Sequence, residues 1–131
     1  MEAIFSNKLA TVNKNIGSHS VVDFHNLDKD YLINEKLIMT DLRKSLEFAS
    51  FTILKENSLK FPGEGAGVTG FFILSESHAA FHSYPEYGYL AIDIFSCGIA
   101  DPKLAIEYFS KLIKGFDFKE RIFDRGYNLR D

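Results

Sequence analysis

The sequence predicts an α+β fold, a two-layer sandwich in which an antiparallel sheet of about four strands packs on two helices. Three observations lead there. The chain has 131 residues, the size of one ordinary domain. With 46% hydrophobic residues and 13 Phe it carries ample apolar area for a core. Strand-like and helix-like runs follow one another in the order β, α, β, β, β, α, β, which favours helices laid on one antiparallel sheet.

The first 17 residues are polar and weakly patterned, and read as a loose arm or an extra edge segment. Residues 18–24 (SHSVVDF) form the first strand. Asn26, Asp28 and Asp30 then offer helix-start oxygens. Ile38, Leu42, Leu46 and Ala49 recur at spacings of four, four and three, which predicts a helix over about 33–50 with one buried stripe. Residues 51–54 (FTIL), 68–74 (VTGFFIL) and 89–95 (YLAIDIF) read as strands, with a glycine-rich loop between the first two. The second helix has the clearest signals: Asp101 as N-cap, Pro102 at the first helical position and Gly115 just past the end. Its rows Leu104/Tyr108/Leu112 and Ala105/Phe109/Ile113 predict one broad buried face. Residues 116–123 can supply a last strand.

Charge and composition exclude more than they assert. Lys and Arg total 15 against 18 Asp and Glu, a net charge of −3, too mild to advertise nucleic acid or an anionic membrane. No stretch approaches the ~18 consecutive apolar residues of a spanning helix, and the start has no apolar signal-peptide core, so a cytoplasmic protein is expected. The one cysteine, Cys97, cannot form an internal disulfide.

Two motif-like signals fail on context. Gly65, Gly67 and Gly70 satisfy G-x-G-x-x-G, but a strand follows them where a dinucleotide fold needs a helix. His78 and His82 are four apart with Cys97 as the only thiol, yet Ser83-Tyr84-Pro85 argues against the helix that would converge the histidines on a metal, so no metal is expected. Taken singly, Cys97 is a small buried hydrophobe and each histidine a solvated side chain. Taken together, the Glu, Ser, His, Asp and Cys residues between Glu76 and Cys97, bracketed by strand-like runs beside a glycine loop, look like a reactive site.

The stretch from Gly67 to Gly98, GVTGFFILSESHAAFHSYPEYGYLAIDIFSCG, resembles the hallmark region of prokaryotic-type S-adenosylmethionine decarboxylases, a pyruvoyl-dependent proenzyme family. That family shows G-V-[ST]-G, an apolar strand, E-S-H, a histidine five residues after the serine, a T-W-P-E-like turn and F-T-C-G. Each element is present in order, with Ser77 to His82 spanning five residues and Ser77 to Cys97 spanning twenty. Departures are Thr69 for serine, Tyr84 for tryptophan and Ser96 for threonine; none removes a reactive group.

The resemblance implies self-cleavage of a single domain (1–131) into a β chain (1–76) and an α chain (77–131). Ser77 would attack the Glu76 carbonyl and end as the pyruvoyl cofactor, with no pyridoxal phosphate and no metal. His82 corresponds to the processing base and Thr69 to a hydroxyl that assists it. Cys97 corresponds to the acid that returns a proton to the substrate carbon, a role suited to a thiol with an ordinary pKa near ~8.5. Glu86 corresponds to the residue holding the ribose hydroxyls, and Phe61 to the aromatic that stacks on adenine. The pyruvoyl ketone, condensed with the substrate amine, serves as an electron sink while carbon dioxide leaves. The implied product is the aminopropyl donor for spermidine. The implied assembly is a homodimer of cleaved αβ protomers, with active sites at or near the interface and no nucleic acid or membrane partner.

Two other readings compete. The same Ser77, His82 and Cys97 could serve a pyruvoyl decarboxylase of ornithine or arginine, or the chain could be an unprocessed homologue that binds ligand or regulates a partner enzyme. Glu86 with Phe61 favours a nucleoside substrate over the first, and the intact reactive trio disfavours the second.

Overall fold

A computed structural model describes residues 14–63 and 65–130. The elements are β1 (Gly17–Phe24), α1 (Lys29–Leu32), α2 (Glu35–Phe48), β2 (Ile53–Lys60), β3 (Val68–Leu74), β4 (Ser77–Tyr84), a 3-10 turn (Pro85–Tyr87), β5 (Tyr89–Ser96), α3 (Pro102–Ile113) and β6 (Phe118–Arg125). The sheet is fully antiparallel in the order β2-β3-β4-β5-β1-β6. The α+β expectation holds, but the sheet has six strands rather than about four. The predicted arm falls largely on residues 1–13, outside the described residues.

The strand with no counterpart in the predicted order is β4, which connects to β3 through the two-residue turn Ser75-Glu76, with Leu74 paired to Ser77. On β4 the alternation is real but faint. Ala79, Phe81 and Ser83 face the helices and are buried, whereas His78, Ala80, His82 and Tyr84 face away. Ser83 is tolerated inside because its Oγ donates to the Leu32 carbonyl at 2.7 Å and accepts from Val68 N–H at 2.8 Å. The strand expected at 51–54 runs instead over Ile53–Lys60, an edge strand whose lysines and glutamate suit a rim position.

The helices cover one face of this sheet. Ile38, Leu42, Leu46 and Ala49 are buried as predicted, but the helix begins at Glu35, capped by Asn34 Oδ1, and a separate turn, α1, precedes it under the Asp28 cap. On α3 Asp101 Oδ1 accepts from Lys103 N–H at 2.9 Å, as expected of the cap. The left-handed residue at its end is Lys114, one place before Gly115. The buried side is Ala105, Ile106 and Phe109 with Ile113 partly buried, so the predicted row Leu104/Tyr108/Leu112 is not inside: Leu104 and Leu112 are about two-fifths exposed and Tyr108 stacks on Phe48 of α2 at 4.3 Å. Gly70 shows how tight the core is, since a Cβ there would run into the Phe81 ring. No helix among the described residues is long and apolar enough to cross a membrane.

Candidate active site

The seven residues singled out from sequence fall into two groups at opposite ends of β4. At its start lie Glu76, Ser77 and Cys97. Antiparallel pairing of β4 with β5 sets His78 opposite Phe95, so Ser77 reaches the end of β5, where the Cys97 N–H donates to Ser77 Oγ at 3.1 Å. Glu76 sits in the left-handed region at φ +59°, a conformation that costs a non-glycine residue about 1 kcal/mol or more. The Glu76–Ser77 bond is therefore held at the tip of a tight hairpin, next to the serine hydroxyl. Ser77 opens on a small cavity of about 130 Å³ shared with Phe51, Thr52, Ser96 and Ile99.

At the far end lie Thr69, His82, Glu86 and Phe61. Thr69 and His82 are cross-strand partners of β3 and β4, and Thr69 Oγ1 is 2.8 Å from His82 Nδ1. Both line a cavity of about 320 Å³ with Phe61, Tyr84 and Glu86, roofed by Gly65, Ala66 and Gly67. The glycine loop is thus part of this cavity rather than a phosphate cradle, and it runs into strand β3. Glu86 stands on the 3-10 turn with its carboxylate against Gly65, where a Cβ would come within 3.5 Å of it. An aromatic floor continues outward: Tyr84 stacks on Tyr89 at 5.4 Å and Tyr89 on His25 at 5.5 Å. The Tyr89 hydroxyl donates to Asp23, and this bond, more than burial, pushes the phenol up to about 12.

Within one chain the two groups do not meet. Five residues of extended strand separate Ser77 from His82, roughly 16 Å at about 3.3 Å per residue. The odd spacing also turns their side chains to opposite faces of the sheet.

Three side-chain arrangements were not legible beforehand. His19 on β1, Asp93 on β5 and His78 on β4 converge on the open face, with His19 Nε2 2.8 Å and His78 Nε2 3.4 Å from Asp93 Oδ2. Arg125 donates to His19 Nδ1 at 2.8 Å, which assigns the Nε2 proton of His19 to Asp93. A metal-bound histidine turns its second nitrogen toward an acceptor; with a guanidinium there, the cluster fits a hydrogen-bond network better than a metal centre. His78 and His82 do not converge, in keeping with the sequence argument. Arg130 reaches the Cys97 carbonyl at 2.9 Å. Finally, Phe71, Ile73 and Phe123 leave the open face of the sheet substantially apolar and exposed.

Comparisons with known proteins converge. The sequence profile described as S-adenosylmethionine decarboxylase matches residues 18–126. A Thermotoga petrophila protein named S-adenosylmethionine decarboxylase proenzyme is 38% identical over 102 residues, covering 77% of each chain. One of the same name from Pyrobaculum islandicum is 32% identical over 100 residues, covering 76% of this chain and 79% of its own. The crystal structure of the adenosylmethionine decarboxylase from Aquifex aeolicus superposes with a TM-score of 0.76 at 25% identity, over 86% of this chain and 92% of that one. Sequence profile, relatives and fold agree that this chain belongs to the S-adenosylmethionine decarboxylase family.

Proposed function

We propose that the chain is a pyruvoyl-dependent S-adenosylmethionine decarboxylase that cleaves itself between Glu76 and Ser77 and works as a pair of copies. Family membership supports the activity, and the observation that carries the pairing is the split site. A two-fold axis through the middle of β4, near Ala80, exchanges the two ends of that strand. Ser77 and Cys97 of one protomer then face Thr69, His82, Glu86 and Phe61 of the partner subunit. The exposed apolar side chains of the open sheet face, Phe71 and Ile73 among them, supply an area that pairing would cover.

In the uncleaved chain Ser77 Oγ is the nucleophile, oriented by the Cys97 N–H. Attack on the Glu76 carbonyl carbon converts the peptide bond to an ester. His82 of the partner subunit, held by its Thr69, takes the Ser77 α-proton; elimination releases the Glu76 carboxylate and leaves a dehydroalanine, whose imine tautomer is hydrolysed by water, which supplies the ketone oxygen as ammonia leaves and the pyruvoyl terminus forms. When formed, that group supplies an electron sink for the substrate's amine-bearing carbon. Glu86 accepts from the ribose diol, Phe61 stacks on the base, and Cys97 returns the proton where the carboxylate departed. The product is the aminopropyl donor for spermidine.

Intact-mass measurement with a carbon dioxide release assay tests this. Two chains meeting at Glu76/Ser77, with turnover of S-adenosylmethionine, are expected. A single species after prolonged incubation, or turnover of ornithine or arginine alone, would contradict it.

A further inference from the structure

The loop that follows β5 and carries Cys97 has little packing of its own. A Cβ on Gly98 would meet open space, and Ile99 is fully exposed. Among the described residues, side-chain hydrogen bonds hold the loop at three places. Ser77 Oγ accepts from Cys97 N–H at 3.1 Å, Ser96 Oγ donates to the Ala100 carbonyl at 2.7 Å, and Arg130 Nη2 donates to the Cys97 carbonyl at 2.9 Å. The same Arg130 nitrogen donates to the Ile16 carbonyl at 2.8 Å, and the Arg130 backbone N–H donates to the Lys14 carbonyl at 2.7 Å. The segment after β6 thus crosses the segment before β1 at Cys97.

We propose that Arg130 is a positioning residue for Cys97, clamping the thiol-bearing loop to the start of the sheet in the cleaved enzyme. The inference rests on Ser77 as pyruvoyl precursor and Cys97 as proton donor. Self-cleavage removes one of the three restraints. As the Ser77 α-proton leaves for the base, its electron pair forms the Cα–Cβ double bond and the Cβ–Oγ bond breaks, so the oxygen stays in the new Glu76 carboxylate. The Cys97 N–H then loses its hydroxyl acceptor, and the guanidinium becomes the remaining side-chain anchor on Cys97 itself. A guanidinium suits the task because its fixed fork of donors can bridge two carbonyls of different segments.

Cys97 is the sole thiol, so it reports on its own loop. In the uncleavable Ser77→Ala chain, which also lacks the hydroxyl, alkylation of Cys97 by iodoacetamide is followed by intact mass. Adding Arg130→Ala should raise the rate ~10-fold, with Arg130→Lys in between. In the cleaved enzyme Arg130→Ala should lower kcat ~10-fold with KM and extent of cleavage unchanged, since small misplacement of a reacting group suffices for such losses. An unchanged or lower alkylation rate, or an unchanged kcat, would overturn the clamp. Failure of the parent chain to cleave or to decarboxylate would instead overturn the decarboxylase reading, while the alkylation comparison still decides the clamp.

Discussion

Ser77 and Cys97 share one hydrogen bond, and the proposed mechanism gives them separable duties, so substitutions at the two should part cleavage from turnover. Ser77→Ala should abolish both. Cys97→Ala keeps the backbone N–H that orients the serine, so cleavage should proceed while decarboxylation falls ~100-fold, within the range of a lost general acid. Intact mass and carbon dioxide release read the two outcomes separately. In the proposed mechanism Glu86 serves binding, not chemistry. Glu86→Gln should raise KM ~10-fold or more and spare self-cleavage, as expected when a charged acceptor of two hydroxyls becomes neutral. The seven candidate residues come from the family resemblance, which carries particular side chains at set spacings along the sequence. Arg130 was not legible, since a lone arginine far along the chain has no spacing relation to Cys97 until β6 carries it there.

Among the elements, α2 and the strands explain what could and could not be read. The α2 stripe of Ile38, Leu42 and Leu46 was legible because a helix on a sheet needs one apolar face at a 3.6-residue period. β4 was hidden because the sheet centre beneath the helices takes Ala79 and Ser83 as readily as larger residues, leaving Phe81 as the only strong inward signal. Missing β4 hid the split site too, because a five-residue spacing separates ends only when the segment is extended. Packing here is testable: Gly70→Ala forces a Cβ against the buried Phe81 ring and the Met39 sulfur and should cost about 1–3 kcal/mol in a denaturant melt. Arg43 of α2 meets Glu56 of β2 through both guanidinium nitrogens Nε and Nη2, and this hydrogen bonding lowers the Glu56 carboxyl below its ordinary range. A depressed folded-state pKa contributes stability above the ordinary carboxylate value and loses it as pH falls through the lowered one. Glu56→Gln should therefore melt earlier than the parent at pH 7, with the gap closing below about pH 4.

For the whole molecule, the strand order has a consequence for the cleaved form. The predicted β chain holds β1, β2 and β3, and the predicted α chain holds β4, β5 and β6. In the order β2-β3-β4-β5-β1-β6 the β1 strand lies between two strands of the other chain. Three strand pairs cross between the chains, so they should remain together in native gel filtration and separate only on denaturation. The proposed pairing of two copies makes a sharper demand, because on that reading each complete site draws on both. Ser77→Ala and His82→Ala chains should each stay whole when expressed alone. Co-expressed, a mixed pair holds one site with both Ser77 and His82 intact. Intact mass should then show the His82→Ala chain cleaved at Glu76/Ser77 and the Ser77→Ala chain untouched. A His82→Ala chain that cleaves alone, or that stays whole in the mixture, would contradict the shared site.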